Sequence, residues 1–175
     1  AVAVINKVIL FKKDILIVGF GRIGKSLIKR CLGFEMNINV FDPFVSKETI
    51  LQFGGNKIDN LDEGLKKCDY LSLHIPLTDK TKNMIDISKF KIMKKNAIII
   101  NTSRGGIINE QDLNKALNEG LIFGAGLDVF EKEPVNTDNP LLKNEKVILS
   151  PHSATFTDEC TSRMGIETTK NIIDF

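Results

Sequence analysis

Three glycines, Gly19-x-Gly21-x-x-Gly24, stand in "ILIVGFGRIGKSLIKR", between an apolar run and an amphipathic one. That spacing suits a phosphate cradle. Gly19 permits a tight turn, Gly21 lets backbone amides approach a pyrophosphate, and Gly24 lets a helix pack close to a strand. The helix N-terminus adds free amides and the positive end of its dipole. Asp42, in "NVFDPF", closes the next apolar run and is placed to accept hydrogen bonds from adenosine ribose hydroxyls. The competing reading of Asp42 is a turn residue before Pro43. No arginine follows within several residues to meet a 2′-phosphate, so NAD is expected over NADP.

A second group lies further along. "NAIIINTSRGG" ends an apolar run on Arg104 and two glycines, Glu133 sits in "EKEP", and His152 follows Pro151. Removing a proton from a hydroxyl needs a base, and histidine titrates near the working pH. A planar guanidinium can hold a carboxylate and the reacting oxygen together. An acid such as Glu133 against an imidazole fixes its tautomer and favours its protonated form. Each residue also has a plainer reading: Arg104 as a helix cap, Glu133 as a solvated loop acid, His152 as a loop histidine with a satisfied hydrogen bond.

The elements that must position these groups are legible in the hydropathy pattern. Ile15–Val18, Ile38–Phe41, Tyr70–Leu73, Ala97–Ile100, Leu121–Val129 and Val147–Leu149 are expected to be strands. Helical patterns cover Ile23–Cys31, Leu61–Lys67, Glu110–Asn118 and a last stretch from Thr157, in which Met164, Ile166 and Ile172 recur at roughly helical spacing. Alternating strands and helices imply an α/β fold, a doubly wound parallel sheet of the Rossmann type with helices on both faces. Such a sheet takes its ligand at the carboxyl ends of the strands, and Arg104, Asp128 and His152 all fall at or just past those ends.

Composition narrows the class. Lysine and arginine number 24 against 22 acids, a balance that gives no electrostatic footprint for nucleic acid or anionic lipid. The apolar runs are too short to span a bilayer, and no secretion signal is read at the start. Cys31, Cys68 and Cys160, with no C-x-x-C spacing, read as reduced thiols of a cytoplasmic protein, with no metal site and no disulfide framework.

The ordered motifs "VGFGRIG" (18–24), "LSLHIPLTDKTKNMI" (71–85), "NTSRGGIIN" (101–109), "GAGLDVFEKEP" (124–134) and "LSPHSATFT" (149–157) resemble the D-isomer-specific 2-hydroxyacid dehydrogenases, the family of phosphoglycerate dehydrogenase and hydroxypyruvate reductase. The resemblance implies Arg104, Glu133 and His152 as the catalytic set and a small 2-hydroxy or 2-keto acid as substrate. It puts Arg22 and Ile23, with the three glycines, on the pyrophosphate of NAD and Asp42 on its ribose. His74 and Pro76 fall on the adenosine side; Thr102 and Asp128 fall at the nicotinamide end. Ser103, Arg104, His152, Ser153 and Ala154 complete the cofactor-facing set. The resemblance also implies a cytoplasmic homodimer. "HSAT" departs from the family's common His-Ile-Gly or His-Ile-Ala. By likeness, residues 1–9 are a remnant of a crossover from a substrate domain that is itself largely missing. Residues 10–156 are then the NAD-binding domain and 157–175 a C-terminal crossover helix. The alternatives are an NAD(H)-sensing binding protein without turnover, of the corepressor kind, or an isolated cofactor-binding fragment.

Overall fold

The computed structural model describes residues 9–174. Seven strands form one parallel sheet in the order β3-β2-β1-β4-β5-β6-β7. They are β1 (Asp14–Val18), β2 (Asn37–Phe41), β3 (Asn56–Lys57), β4 (Tyr70–Leu73), β5 (Ile98–Asn101), β6 (Gly124–Leu127) and β7 (Val147–Leu149). Between them run α1 (Arg22–Gly33), α2 (Lys47–Gln52), α3 (Leu61–Lys67), α4 (Ile87–Ile92) and α5 (Glu110–Asn118), and α6 (Asp158–Ile173) follows β7. The doubly wound parallel sheet expected from the alternation is the fold observed.

The unbroken apolar strands are explained by burial on both faces. Successive side chains of β1 alternate: Leu16 and Val18 join one core with Leu71, Leu73, Ile99 and Leu113, while Ile15 and Ile17 join another with Ile28, Ile38, Val40 and Ile50. Fully burying each such side chain contributes about 1.5–3 kcal/mol. The strand order reverses between β1 and β4, so the loops leaving those two strands diverge and open a crevice at their carboxyl ends.

Two α-helices and one strand escaped the pattern reading, all of them short, as did a 3-10 turn at Pro140–Lys143. Helix α2 buries only Ile50 and α4 only Phe90, so neither shows an apolar repeat. Local capping starts each one: Ser46 accepts from Thr49 N–H, and Asp86 accepts from Ser88 and Lys89 N–H. β3 is a two-residue polar edge strand. The strand expected over Leu121–Val129 narrows to Gly124–Leu127, because Leu121–Phe123 make the turn out of α5. The helix from Thr157 is present, with the Thr157 side chain accepting from Cys160 N–H; none of its residues is buried. The expected crossover remnant at 1–9 lies outside the described residues except for Ile9. Among the described residues no helix is long and apolar enough to cross a membrane.

Candidate active site

The glycine turn leaves β1 as its spacing requires. Gly19 has a φ of +96°, and a Cβ there would lie 2.5 Å from the His74 carbonyl oxygen. A side chain is therefore excluded twice, by conformation and by the backbone leaving β4. A Cβ on Gly24 would lie 2.3 Å from the Gly19 carbonyl oxygen, so this glycine packs the helix against the turn itself. Gly21 is different. A Cβ there would meet nothing within 4 Å, and Gly21 caps α1 with no side-chain hydrogen bond. Open space beside free helix-terminal amides is what a pyrophosphate needs, so these residues fit the cofactor implied by the motif. Arg22 and Ile23 are exposed at the same helix start.

A cleft of about 810 Å³ opens beside this turn, lined by Gly19, Gly21, Asp42, Phe44, His74 and Pro76 among others. Asp42 holds the turn as well as facing the cleft: Oδ2 accepts from Phe20 N–H at 2.8 Å and Oδ1 from Phe44 N–H at 2.9 Å. The turn reading of Asp42 therefore holds. A ribose contact remains open to it, because each carboxylate oxygen keeps a further lone pair. His74 Nε2 lies 2.9 Å from Ser72 Oγ, and burial pushes the imidazole pKa below its ordinary value, favouring the neutral ring. That suits a wall of the cleft and not a proton carrier.

The other candidates stand past the ends of three neighbouring strands, β5, β6 and β7. Asp128, buried at the end of β6, grips the loop after β7. Its Oδ1 accepts from Ser150 Oγ and from Ser153 N–H at 2.9 Å, and its Oδ2 from Ala154 N–H at 3.0 Å. Burial raises the Asp128 pKa, but these donors and the nearby His152 charge outweigh it and hold the carboxyl below its ordinary range. Between the gripped residues, His152 has a φ of +53°. That left-handed conformation costs a non-glycine residue about 1–2 kcal/mol. His152 Nδ1 lies 2.7 Å from Glu133 Oε2, and Glu133 Oε1 accepts from Phe130 N–H at 2.9 Å. The bond to His152, then that from Phe130, hold the Glu133 carboxyl below the usual carboxylate range.

The structure thus brings Glu133 and His152 into direct contact and seats Ser153 and Ala154 on Asp128. Thr102, Ser103 and Arg104 lie on the turn after β5, with Thr102 and Arg104 exposed. Arg104 Nη1 donates to the Ser103 carbonyl oxygen at 2.6 Å. Two residues of this turn were not singled out from sequence. Asn101, 2% exposed, donates from Nδ2 to the Arg104 carbonyl oxygen at 2.9 Å. Its Oδ1 accepts from Ser103 N–H at 3.1 Å and Ser103 Oγ at 2.8 Å. The reason for Gly105 is contact: a Cβ would fall 1.7 Å from the Phe130 carbonyl oxygen. The turn carrying Arg104 is pressed against the carbonyl of Phe130, the residue whose own N–H reaches Glu133. A polar residue closing an apolar strand was the available signal for Asn101; nothing local marked Gly105.

A dinucleotide cradle at the switch point of a parallel sheet, with an arginine and an acid-histidine pair along the same edge, defines a nicotinamide-dinucleotide-binding domain. The family profile for "D-isomer specific 2-hydroxyacid dehydrogenase, NAD binding domain" matches residues 4–154, and this chain belongs to that family. D-3-phosphoglycerate dehydrogenase of Methanocaldococcus jannaschii is 44% identical over 156 residues, covering 89% of this chain and 30% of that protein. Glyoxylate reductase of Thermococcus litoralis is 45% identical over 163 residues, covering 93% of this chain and 49% of that protein. The crystal structure of D-lactate dehydrogenase from Aquifex aeolicus, complexed with NAD and lactic acid, superposes with a TM-score of 0.85 at 33% identity, covering 94% of this chain and 54% of that one. The chain spans about half or less of the length of these relatives. The cofactor of the domain is NAD, as expected from the glycine turn and Asp42.

Proposed function

We propose that this chain is the NAD-binding and acid-base half of an oxidoreductase that interconverts a small D-2-hydroxy acid and its 2-keto acid. The observation that carries the reading is the 2.7 Å contact between His152 Nδ1 and Glu133 Oε2 on the strand edge that also bears the glycine turn and Arg104. NADH, when bound, supplies the hydride that reduces the keto carbon. The chain supplies the rest. With Nδ1 held by Glu133, His152 Nε2 is left to donate its proton to the developing alkoxide, or to take it back in the oxidation direction. Arg104 meets the substrate carboxylate and the reacting oxygen with two parallel donors, which fixes orientation as well as charge. Contact between Glu133 and His152 supports this enzyme over a sensor of the corepressor kind, because it assembles the acid-base pair that turnover requires. A homodimer in the cytoplasm completes the proposal, and sedimentation of the full-length protein tests its assembly.

The test is NADH oxidation by the full-length protein with glyoxylate, hydroxypyruvate, 3-phosphohydroxypyruvate and pyruvate. Turnover of at least one supports the reading; turnover of none at any pH from 5 to 9 would sink it. Asp42 adds a cofactor preference, since a carboxylate accepts from a 2′-hydroxyl and repels a 2′-phosphate. NADH should bind about tenfold or more tighter than NADPH in a fluorescence titration. Equal affinities would remove Asp42 from the ribose.

A further inference from the structure

The reading above gives Arg104 its task, but an exposed arginine has many rotamers and a freely moving guanidinium orients nothing. What fixes it is the chain of contacts beneath it. Asn101 is the last residue of β5, fully inside the sheet edge, and its carboxamide reaches both sides of the turn. Oδ1 receives Ser103 N–H at 3.1 Å and Ser103 Oγ at 2.8 Å, while Nδ2 donates to the Arg104 carbonyl oxygen at 2.9 Å. Those contacts bracket one peptide unit, the bond from Ser103 to Arg104. The carbonyl oxygen of that unit is the one that receives Arg104 Nη1 at 2.6 Å.

We infer that Asn101 is the positioning residue for Arg104. It clamps the Ser103–Arg104 peptide, the clamped carbonyl seats the guanidinium, and the guanidinium is thereby held where a substrate carboxylate arrives. The side-chain type follows from the geometry. One atom must accept and another must donate, which an amide does; a carboxylate has no donor, a hydroxyl has a single oxygen for both tasks, and an aliphatic group has neither. Gly105 closes the turn from the far side, where the Phe130 carbonyl leaves no room for a side chain. Between these two stops the peptide has one available orientation. The inference rests on the proposed dehydrogenase reading, and it is tested so that the two can fail separately.

In the full-length protein, Asn101→Ala should lower keto-acid kcat/KM about thirtyfold and leave the NADH dissociation constant within about twofold, the signature of lost orientation at one end of the site. Asn101→Asp keeps the acceptor for Ser103 but sets a carboxylate oxygen against the Arg104 carbonyl oxygen, so it should fall at least as far as Asn101→Ala. The decisive arm is a double-mutant cycle. In an Arg104→Lys background, Asn101→Ala should cost less than about threefold, because its target is gone. An equal loss in both backgrounds, or unchanged kcat/KM in Asn101→Ala, would overturn the assignment. Hydrogen exchange gives a readout that needs no turnover. Ser103 N–H should exchange about tenfold faster in Asn101→Ala, as for loss of one hydrogen bond, while Ile99 and Ala125 in the neighbouring strands keep their protection. Unchanged exchange at Ser103 overturns the clamp, and loss of protection at Ile99 and Ala125 as well makes Asn101 a general support of the sheet. If the wild type reduces no keto acid, the dehydrogenase reading fails while exchange at Ser103 still decides the clamp.

Discussion

Each end of the sheet has a buried aspartate, and the two are used differently. Asp69 precedes β4 at the amino ends of the strands and is 7% exposed; Asp128 follows β6 at the carboxyl ends and is 3% exposed. Both carboxylates are held ionised against the cost of burial. Asp69 does so with a cation. Lys94 Nζ lies 3.1 Å from Oδ1 and also reaches Asp14, Asn96 Nδ2 donates to Oδ1 at 3.2 Å, and Asp14 N–H donates to Oδ2 at 3.0 Å. The charge is neutralised and the partners are the beginnings of strands. Among the described residues Asp128 has no lysine or arginine against it; its donors are a serine hydroxyl and two loop amides. A compensated charge ties strands together. One held by loop donors grips a strained loop, and keeps negative potential beside the histidine that loop presents.

The sharpest way to break this contrast is to remove each carboxylate. Asp128→Ala frees Ser150, Ser153 and Ala154, and His152 should relax out of its left-handed conformation. A catalytic group displaced by about 1 Å costs on the order of a hundredfold, so kcat/KM of the full-length protein should fall at least that far. Its NADH affinity should change far less, since the glycine turn is untouched. A variant with near-normal kcat/KM would show that Asp128 is ordinary loop packing.

Asp69→Ala should do the reverse. It orphans Lys94 and the Asp14 amide, and stability should fall by about 2–3 kcal/mol in urea or thermal unfolding. At a temperature where the variant stays folded, turnover should remain within about twofold of wild type. If activity collapses while stability holds, the two ends do not divide the work as described.

A titration sharpens the same comparison. The folded pKa of Asp69 is depressed, so its contribution is fully present above the unfolded value and is lost as pH falls through the folded one. Asp69→Asn cannot titrate. The stability gap between wild type and Asp69→Asn should therefore be constant above about pH 5 and narrow progressively below about pH 4. A gap that persists unchanged to pH 2 would mean that ionisation of Asp69 contributes nothing.

How far these arrangements were legible depended on whether their cause was local. Gly19, Gly24 and Asp42 follow one another within a single strand-turn-helix-strand unit, and the spacing alone implies a turn, a packed helix and an acid facing the crevice. The pairing of Glu133 with His152 was readable through the family motifs that carry both residues; taken singly, each had a plainer loop reading. Gly105 and Asn101 were not readable in that way. The Phe130 carbonyl that excludes a side chain at Gly105 comes from the loop after another strand, and no pattern around 105 encodes that approach. The grip of Asp128 on Ser153 and Ala154 likewise joins residues separated by 25 and 26 positions. Helices α2 and α4 were missed for the opposite reason: a single buried residue in each leaves no period to detect.

The smallest expected effect concerns Glu133, the acid that meets the histidine directly. Glu133 is ionised through the neutral range, since its carboxyl is held below its usual value by His152 and Phe130. Its two oxygens have separate tasks, Oε2 toward His152 Nδ1 and Oε1 toward Phe130 N–H. Glu133→Gln keeps the size, removes the charge and leaves one acceptor for two donors. If the amide oxygen stays on Phe130, the amide NH₂ faces Nδ1 and favours the tautomer with the proton on Nε2, which cannot act as the base. Oxidation of the hydroxy acid, which needs Nε2 free to accept, should therefore lose about threefold to tenfold in kcat/KM at neutral pH. Steady-state kcat/KM of wild type and Glu133→Gln measures the loss. An unchanged kcat/KM would mean that Glu133 does not set the proton on His152, and only Asp128 would remain as an acid that shapes the histidine.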